Sequence, residues 1–267
     1  MIPRVRPRLV TFDVTGTLLM TKLEHYVDIG RQYGLHVDSL RLARNFKSNF
    51  VRLTAEHPNF GRHTGLGWEN WWRTIVHEVF KDQHPFVSQD TLNKVMIIPD
   101  STGHPVDVAD SLISCYATAR CWHTYPGAVE LLSFLRSKGI FLGVISNFDQ
   151  RLESILEDTR IREYFVFVLT SYDFGMEKPS LPIFNEALRL TTLSGKEKIL
   201  PQEAMHIGDT VDNDYFGAKS ASWNALLIKH NEGEKINDKI PKEDVFNNLK
   251  ELQCYFEKVL ASDHVTT

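Results

Sequence analysis

The chain has 267 residues, of which 42% are apolar and 24% charged. That balance excludes wholesale disorder. At roughly 100–200 residues per domain it leaves room for one large domain, or for a domain carrying an insertion. A net charge of −4, from 30 Lys and Arg against 34 Asp and Glu, argues against nucleic acid as a partner. No apolar run approaches the roughly 20 residues that cross a bilayer, so no membrane partner is expected either.

Five short apolar runs bounded by turn residues read as core strands. They are Leu9–Phe12, Ile140–Ile145, Phe165–Leu169, Ala204–Ile207 and Asn224–Ile228. Helical patterns separate the last four and also precede Ile140. Gly127 to Lys138 is followed by Gly139 as a stop; the others run Asp149 to Glu157, Pro182 to Leu190 and Asn213 to Ser220. Strands alternating with helices of this length predict βαβ units and a mainly parallel α/β sheet.

Between about Met20 and about Trp122 no comparable core strands are found, and Asp38 to Phe50 and Trp68 to Phe80 read as helices. Four of the five tryptophans, Trp68, Trp71, Trp72 and Trp122, lie there. The expected division is therefore a sheet domain of residues 1–19 and 123–260, interrupted by a helical insertion of residues 20–122. Residues 261–267 are expected to be loose.

Cys115, Cys121 and Cys254 are odd in number and lack C-x-x-C spacing. Neither a disulfide framework nor a cysteine-based zinc site is expected from that pattern. The chain has no Asn-x-Ser/Thr acceptor and no apolar leader before Leu9. An intracellular, cytoplasmic or nuclear location fits, with a mitochondrial address left open by Arg4, Arg6 and Arg8.

In open parallel sheets, ligands bind beyond the carboxyl ends of the strands. The first strand delivers Asp13-Val14-Thr15-Gly16-Thr17, the second Ser146-Asn147, and the fourth Gly208-Asp209 with Asp212 and Asp214 close behind. Lys178-Pro179 precedes the helix after the third strand. Carboxylates, hydroxyls and an ammonium at one sheet edge can hold a phosphoryl group and a Mg²⁺ ion, which prefers oxygen ligands. Asp13 could attack phosphorus.

The Asp-x-Thr-Gly-Thr, Ile-Ser-Asn, Lys-Pro and Gly-Asp-x-x-x-x-Asp motifs, in this order and each beside a strand end, resemble the haloacid dehalogenase-like hydrolase superfamily. The helical insertion resembles that family's C1-type cap on a Rossmann-like core. Val-Ile-Ser-Asn-Phe-Asp with Leu-Glu-x-Ile-Leu, and the Trp-Trp pair, look most like the haloacid dehalogenase-like hydrolase domain-containing protein 3 group. The resemblance implies a Mg²⁺-dependent phosphohydrolase acting on a small phosphorylated molecule through an aspartyl phosphate. It makes Asp13 the nucleophile and a metal ligand, with Thr15 lending its carbonyl to the metal. Ser146, Asn147 and Lys178 would bind the transferred group. Asp209 would ligate Mg²⁺, and Asp214 would ligate it or orient its waters. Asp212 is expected to face solvent.

One position departs from the pattern. Family phosphatases carry a second aspartate two residues after the nucleophile, where this chain has Thr15. A hydroxyl cannot shuttle protons near neutral pH, and general acid–base catalysis is typically worth about 10²–10⁴-fold. Slow turnover is therefore expected. Two alternatives stand beside it: an impaired member that binds a phosphorylated ligand or a protein, and a metal-independent dehalogenase-like hydrolase. Family members that use a cap lysine as a Schiff base also lack the second aspartate, but nothing singles out Lys22 or Lys47 for that role.

Other features read as structural. Gly65-x-Gly67 lacks the third glycine and the preceding strand of a dinucleotide fingerprint. Trp68, Trp71 and Trp72 share a helix face and read as core of the insertion, with a substrate-facing wall as the minor reading. His63, His77 and His123 read as satisfied by local hydrogen bonds.

Overall fold

The computed structural model describes residues 6–193, 198–230 and 238–261. The chain divides into two compact units. One comprises Met1–Met20 with His123–Thr267, the other Thr21–Trp122.

The first unit is built on a six-stranded parallel sheet. Its order is Val245–Phe246, Asn224–Ile228, Ala204–Gly208, Leu9–Phe12, Phe141–Ser146 and Phe167–Thr170. The central strand, Leu9–Phe12, is wholly buried, as its unbroken apolar run requires of a strand covered on both faces. Its register sets Phe12 beside Val144 on one side and Ile207 on the other. Asp13, Asn147 and Asp209 therefore all emerge at one edge. Helices Ala128–Ser137, Leu181–Leu193 and Leu249–Ala261 bury Leu131, Leu132, Leu135, Ile183, Phe184, Leu252 and Phe256. Each such side chain contributes about 1.5–3 kcal/mol of apolar burial.

The second unit holds helices Glu24–Gln32, Ser39–Glu56, Trp68–Gln83, Gln89–Val95 and Val108–Cys115, with one antiparallel hairpin, Ile97–Pro99 with Pro105–Asp107. Asp38 caps the second of these helices, its Oδ1 accepting from the Leu40 amide at 2.9 Å. Trp71 is buried, with the rings of Phe50, Phe60 and Trp72 about it at 5.3, 5.2 and 4.9 Å.

Several boundaries differ from the sequence reading. Phe165 closes the turn Arg162–Tyr164 and Val166 is exposed, so the third core strand begins at Phe167. The segment expected as one helix from Asn213 to Ser220 is a wide turn, Val211–Phe216, followed by the short helix Gly217–Ser220. The amides of Asp214 and Tyr215 both point to the Thr210 carbonyl, at 3.0 and 3.4 Å, which widens the turn. The sixth strand, Val245–Phe246, and the helix Leu249–Ala261 were not anticipated. Arg4 and the tail beyond Ala261 lie outside the described residues. Among the described residues no helix is long and apolar enough to cross a membrane.

Candidate active site

The first strand ends in Asp13, whose amide still donates to the Ile207 carbonyl at 2.9 Å, so the sheet itself sets the position of this carboxylate. Three residues on, Gly16 has φ +79°, and a Cβ there would lie 2.4 Å from Asp209 Oδ2. Glycine is required on both counts, left-handed backbone and contact with a carboxylate. Gly208 has a parallel role, since a Cβ there would lie 2.1 Å from Asp214 Cγ. The wide turn after Asp209 folds Asp214 back over the strand end, and only a glycine leaves room for it.

Asp13, Asp209 and Asp214 each present a carboxylate oxygen, and these oxygens all lie within 4.8 Å of one another. Asp214 is 1% exposed. Its Oδ1 accepts from Lys178 Nζ at 2.7 Å and faces His206 Nε2 at 3.1 Å; its Oδ2 accepts from the Thr210 amide at 2.9 Å. Asp209 is partly exposed, and its backbone carbonyl accepts from Lys229 Nζ at 2.8 Å. Asp212 is exposed.

Lys178 is buried with all three ammonium protons placed. They go to Asp13 Oδ1 at 2.8 Å, Asp214 Oδ1 at 2.7 Å and the Ile145 carbonyl at 2.7 Å. Asn147 clamps the lysine backbone. Its Nδ2 donates to the Lys178 carbonyl at 2.9 Å, and its Oδ1 accepts from the Lys178 amide at 2.8 Å. This is the geometry of a positioning residue, where ligand contact was expected. Ser146 is buried at the end of its strand, and Thr15 is exposed. Just beyond, Arg151 grips the buried Asp149 carboxylate through Nε and one terminal nitrogen, at 2.8 and 2.7 Å, fixing the turn that follows Asn147.

Burial raises the Asp13 carboxyl; Lys178 opposes the rise and Asp214 adds to it. Burial, then Asp13 and Asp214, push Asp209 up to about 7. For Asp214 burial acts upward as well, but Lys178 and His206 outweigh it and hold this carboxyl well below the usual range. Burial also disfavours the Lys178 ammonium, yet Asp13 and Asp214 more than restore it. Burial and the Lys178 charge lower His206, favouring the neutral ring.

Three carboxylates against one ammonium leave two formal negative charges. The donor set is all oxygen and close-packed, which suits a hard divalent cation. Asp214 is already engaged by Lys178, His206 and the Thr210 amide, and Thr15 lies on the loop that follows Asp13.

Sequence reasoning missed His206, which sits wholly buried between Thr11 Oγ1, 2.8 Å from its Nδ1, and Asp214. A polar residue inside an apolar strand, next to the Gly-Asp motif, was the available signal. Also missed was Tyr125 stacked on His230, with centroids 3.5 Å apart and planes 5° apart; His230 Nε2 lies 3.0 Å from the Thr17 carbonyl.

A family model described as a haloacid dehalogenase-like hydrolase matches residues 7–222. This chain belongs to that family of hydrolases. Among its relatives, the haloacid dehalogenase-like hydrolase domain-containing protein 3 of Homo sapiens is 33% identical over 257 residues, covering 94% of each chain. The rhythmically expressed gene 2 protein of Drosophila melanogaster is 35% identical over 257 residues, covering 91% of this chain and 93% of its own. Solved structures share the fold. The putative HAD-hydrolase YfnB from Bacillus subtilis, bound to magnesium, superposes with a TM-score of 0.64 at 16% identity, covering 95% of this chain and 100% of its own. A 2-haloacid dehalogenase from Pseudomonas syringae pv. Tomato DC3000 does so with a TM-score of 0.59 at 22% identity, covering 96% and 99%.

Proposed function

We propose that this protein is a slow Mg²⁺-dependent phosphohydrolase acting on a small phosphorylated metabolite through an aspartyl phosphate. The observation that carries this reading is the carboxylate cluster of Asp13, Asp209 and Asp214 with the Lys178 ammonium tied to two of its members. The Asp13 oxygen not engaged by Lys178 attacks phosphorus. The bond from phosphorus to the leaving oxygen breaks, and the electron pair leaves with that oxygen. Water then cleaves the acyl phosphate and regenerates Asp13.

Lys178 opposes the upward shift that burial imposes on the Asp13 carboxyl and offsets charge on the transferred group. Ser146 donates its hydroxyl to that group, and Asn147 holds Lys178 in place. Asp13, Asp209 and the Thr15 carbonyl would hold Mg²⁺, with Asp214 steadying the arrangement; bound there, the ion supplies positive charge to the phosphoryl oxygens. YfnB, solved with magnesium bound, supports this part of the reading. We assign substrate choice to the helical unit Thr21–Trp122. The free thiols of Cys115, Cys121 and Cys254 fit a reducing intracellular compartment.

A second reading, binding of a phosphorylated ligand or protein with little turnover, is favoured by Thr15. This exposed residue cannot transfer protons where family phosphatases carry an aspartate. Phosphate release from a generic aryl phosphate separates the two. The enzyme reading requires release that depends on Mg²⁺ and is abolished by Asp13→Asn. Phosphate binding without release across a broad panel supports the second, and metal-independent halide release from a haloacid would overturn both.

A further inference from the structure

The helical unit holds a second convergence of ligating side chains. His25, Cys115 and Cys121 each offer one atom, and the three atoms lie within 4.8 Å of one another. Both thiols are buried, Cys121 completely. His25 Nδ1 is buried and has no hydrogen-bond partner among the described residues. A buried ring nitrogen without a partner is rare in a native structure and calls for an explanation.

The surrounding bonds show that the three groups are held together and not merely adjacent. Cys115 ends the helix Val108–Cys115, and His25 lies in the first turn of Glu24–Gln32. The loop between the cysteines is closed from within: the Thr118 amide and Oγ1 donate to the Cys115 carbonyl at 3.1 and 2.8 Å, and the Cys121 amide donates to the Thr118 carbonyl at 3.1 Å. Thr21 Oγ1 donates to the Cys121 carbonyl at 2.7 Å, and Tyr116 Oη donates to the Lys22 carbonyl at 2.7 Å. These two bonds tie the segment leading to His25 onto the cysteine loop from both sides. The Tyr116 ring stands edge-on to His25 at 5.9 Å.

We infer that His25 Nδ1, Cys115 Sγ and Cys121 Sγ form a binding site for a thiophilic cation of the Zn²⁺ class. One imidazole nitrogen and two sulfurs are the donor types such ions select, whereas Mg²⁺ selects oxygen. On binding, each thiol loses its proton to solvent and forms a metal–sulfur bond, and neutral His25 contributes its lone pair. No oxidant or reductant takes part. The spacing, with His25 far from a C-x₅-C pair, matches no familiar zinc signature, so the site arises from tertiary folding alone. The proposal does not depend on the phosphohydrolase reading, because it uses none of the carboxylate cluster.

Co²⁺ is the probe, since thiolate ligation gives it a charge-transfer absorption that carboxylate ligation does not. Reduced, metal-free, full-length protein is titrated with Co²⁺ in excess Mg²⁺. The expected result is a thiolate-to-metal band that saturates at about one equivalent and is bleached by one equivalent of Zn²⁺. Cys254→Ser retains the band. Cys115→Ser and Cys121→Ser lose it, and His25→Gln weakens Co²⁺ binding by about tenfold or more. The wild-type titration decides the matter even if a variant fails to fold, because absence of a thiolate band there overturns the inference. A band that survives Cys115→Ser or Cys121→Ser in folded protein, one lost with Cys254→Ser, or one that Zn²⁺ leaves unchanged overturns it as well.

Discussion

Replacing Lys178 by methionine removes the ammonium that joins Asp13 to Asp214 while keeping most of the side-chain volume. Nζ serves three acceptors at 2.7–2.8 Å, and the side chain is 2% exposed, so water cannot take its place. Breaking a buried ion pair typically costs about 3–5 kcal/mol, because it strands the partner charge. Here Asp214 keeps the Thr210 amide and His206, and Asp13 can escape by taking up a proton, which places the expected loss at the lower end, about 3 kcal/mol near pH 7. The formal charge of the cluster goes from two negative to three, so a divalent cation should recover more stability in the variant than in the wild type. Amide exchange along Leu9–Phe12 in graded urea reports opening of the sheet unit alone. A loss below about 1 kcal/mol, or a Mg²⁺ response no larger than that of the wild type, would refute the view that Lys178 balances the cluster.

Thr15→Asp should raise phosphate release by at least about tenfold, and by up to the 10²–10⁴ that general acid–base catalysis supplies; kcat for an aryl phosphate is the measurement, and an unchanged value in folded protein counts against the assigned role. Gly208→Ala should displace Asp214 and lower stability by about 2–4 kcal/mol, in the range of overpacking plus a broken buried pair, as a shift in urea midpoint would show. A pH effect follows from Asp209, pushed up to about 7 by burial and by Asp13 and Asp214. Unfolded, it titrates near 4. Between those values the folded metal-free protein holds the extra proton, so this group's contribution to stability is complete below about pH 4 and declines as pH rises to about 7. A cation competes with that proton, so the rise in Tm produced by a fixed Mg²⁺ concentration should grow from about pH 6 to about pH 8; a rise that shrinks over that interval contradicts the assignment.

Much of the sheet was legible because its strands are buried on both faces and read as unbroken apolar runs; Asn224–Ile228 has the same limits in sequence and structure. The edge strand Val245–Phe246 has two residues, too few to carry a pattern. Val166 was misread because apolar composition alone cannot separate a strand from the turn leading into it. At the site, the motif glycines pointed to the right loops, but their reason became visible only with Asp209 and Asp214 lying against them. Lys178 was expected to face a ligand, and its three protein acceptors could not be deduced from spacing. His206 was hidden inside a run taken as apolar. Cys115, Cys121 and His25 show the same limit, since ninety residues separate the imidazole from the first thiol and no local signature links them.

The register of Leu9–Phe12 against Phe141–Val144 and Ala204–Ile207 also has a bearing on how the chain folds. The central strand is synthesised first, yet its two neighbours follow more than a hundred residues later. Until Ala204–Ile207 has been made, one edge of this wholly buried strand has no partner. Such long-range pairings are slow to form and leave strand edges exposed in the meantime. The intervening segment, Thr21–Trp122, has its own core and can gain structure while the first strand waits. Truncations that end before Ala204 should therefore yield an ordered helical unit beside an aggregation-prone, incomplete sheet, and the last three strands, with the helix Leu249–Ala261, become the step that commits the edge carrying Asp13 and Asp209 to form.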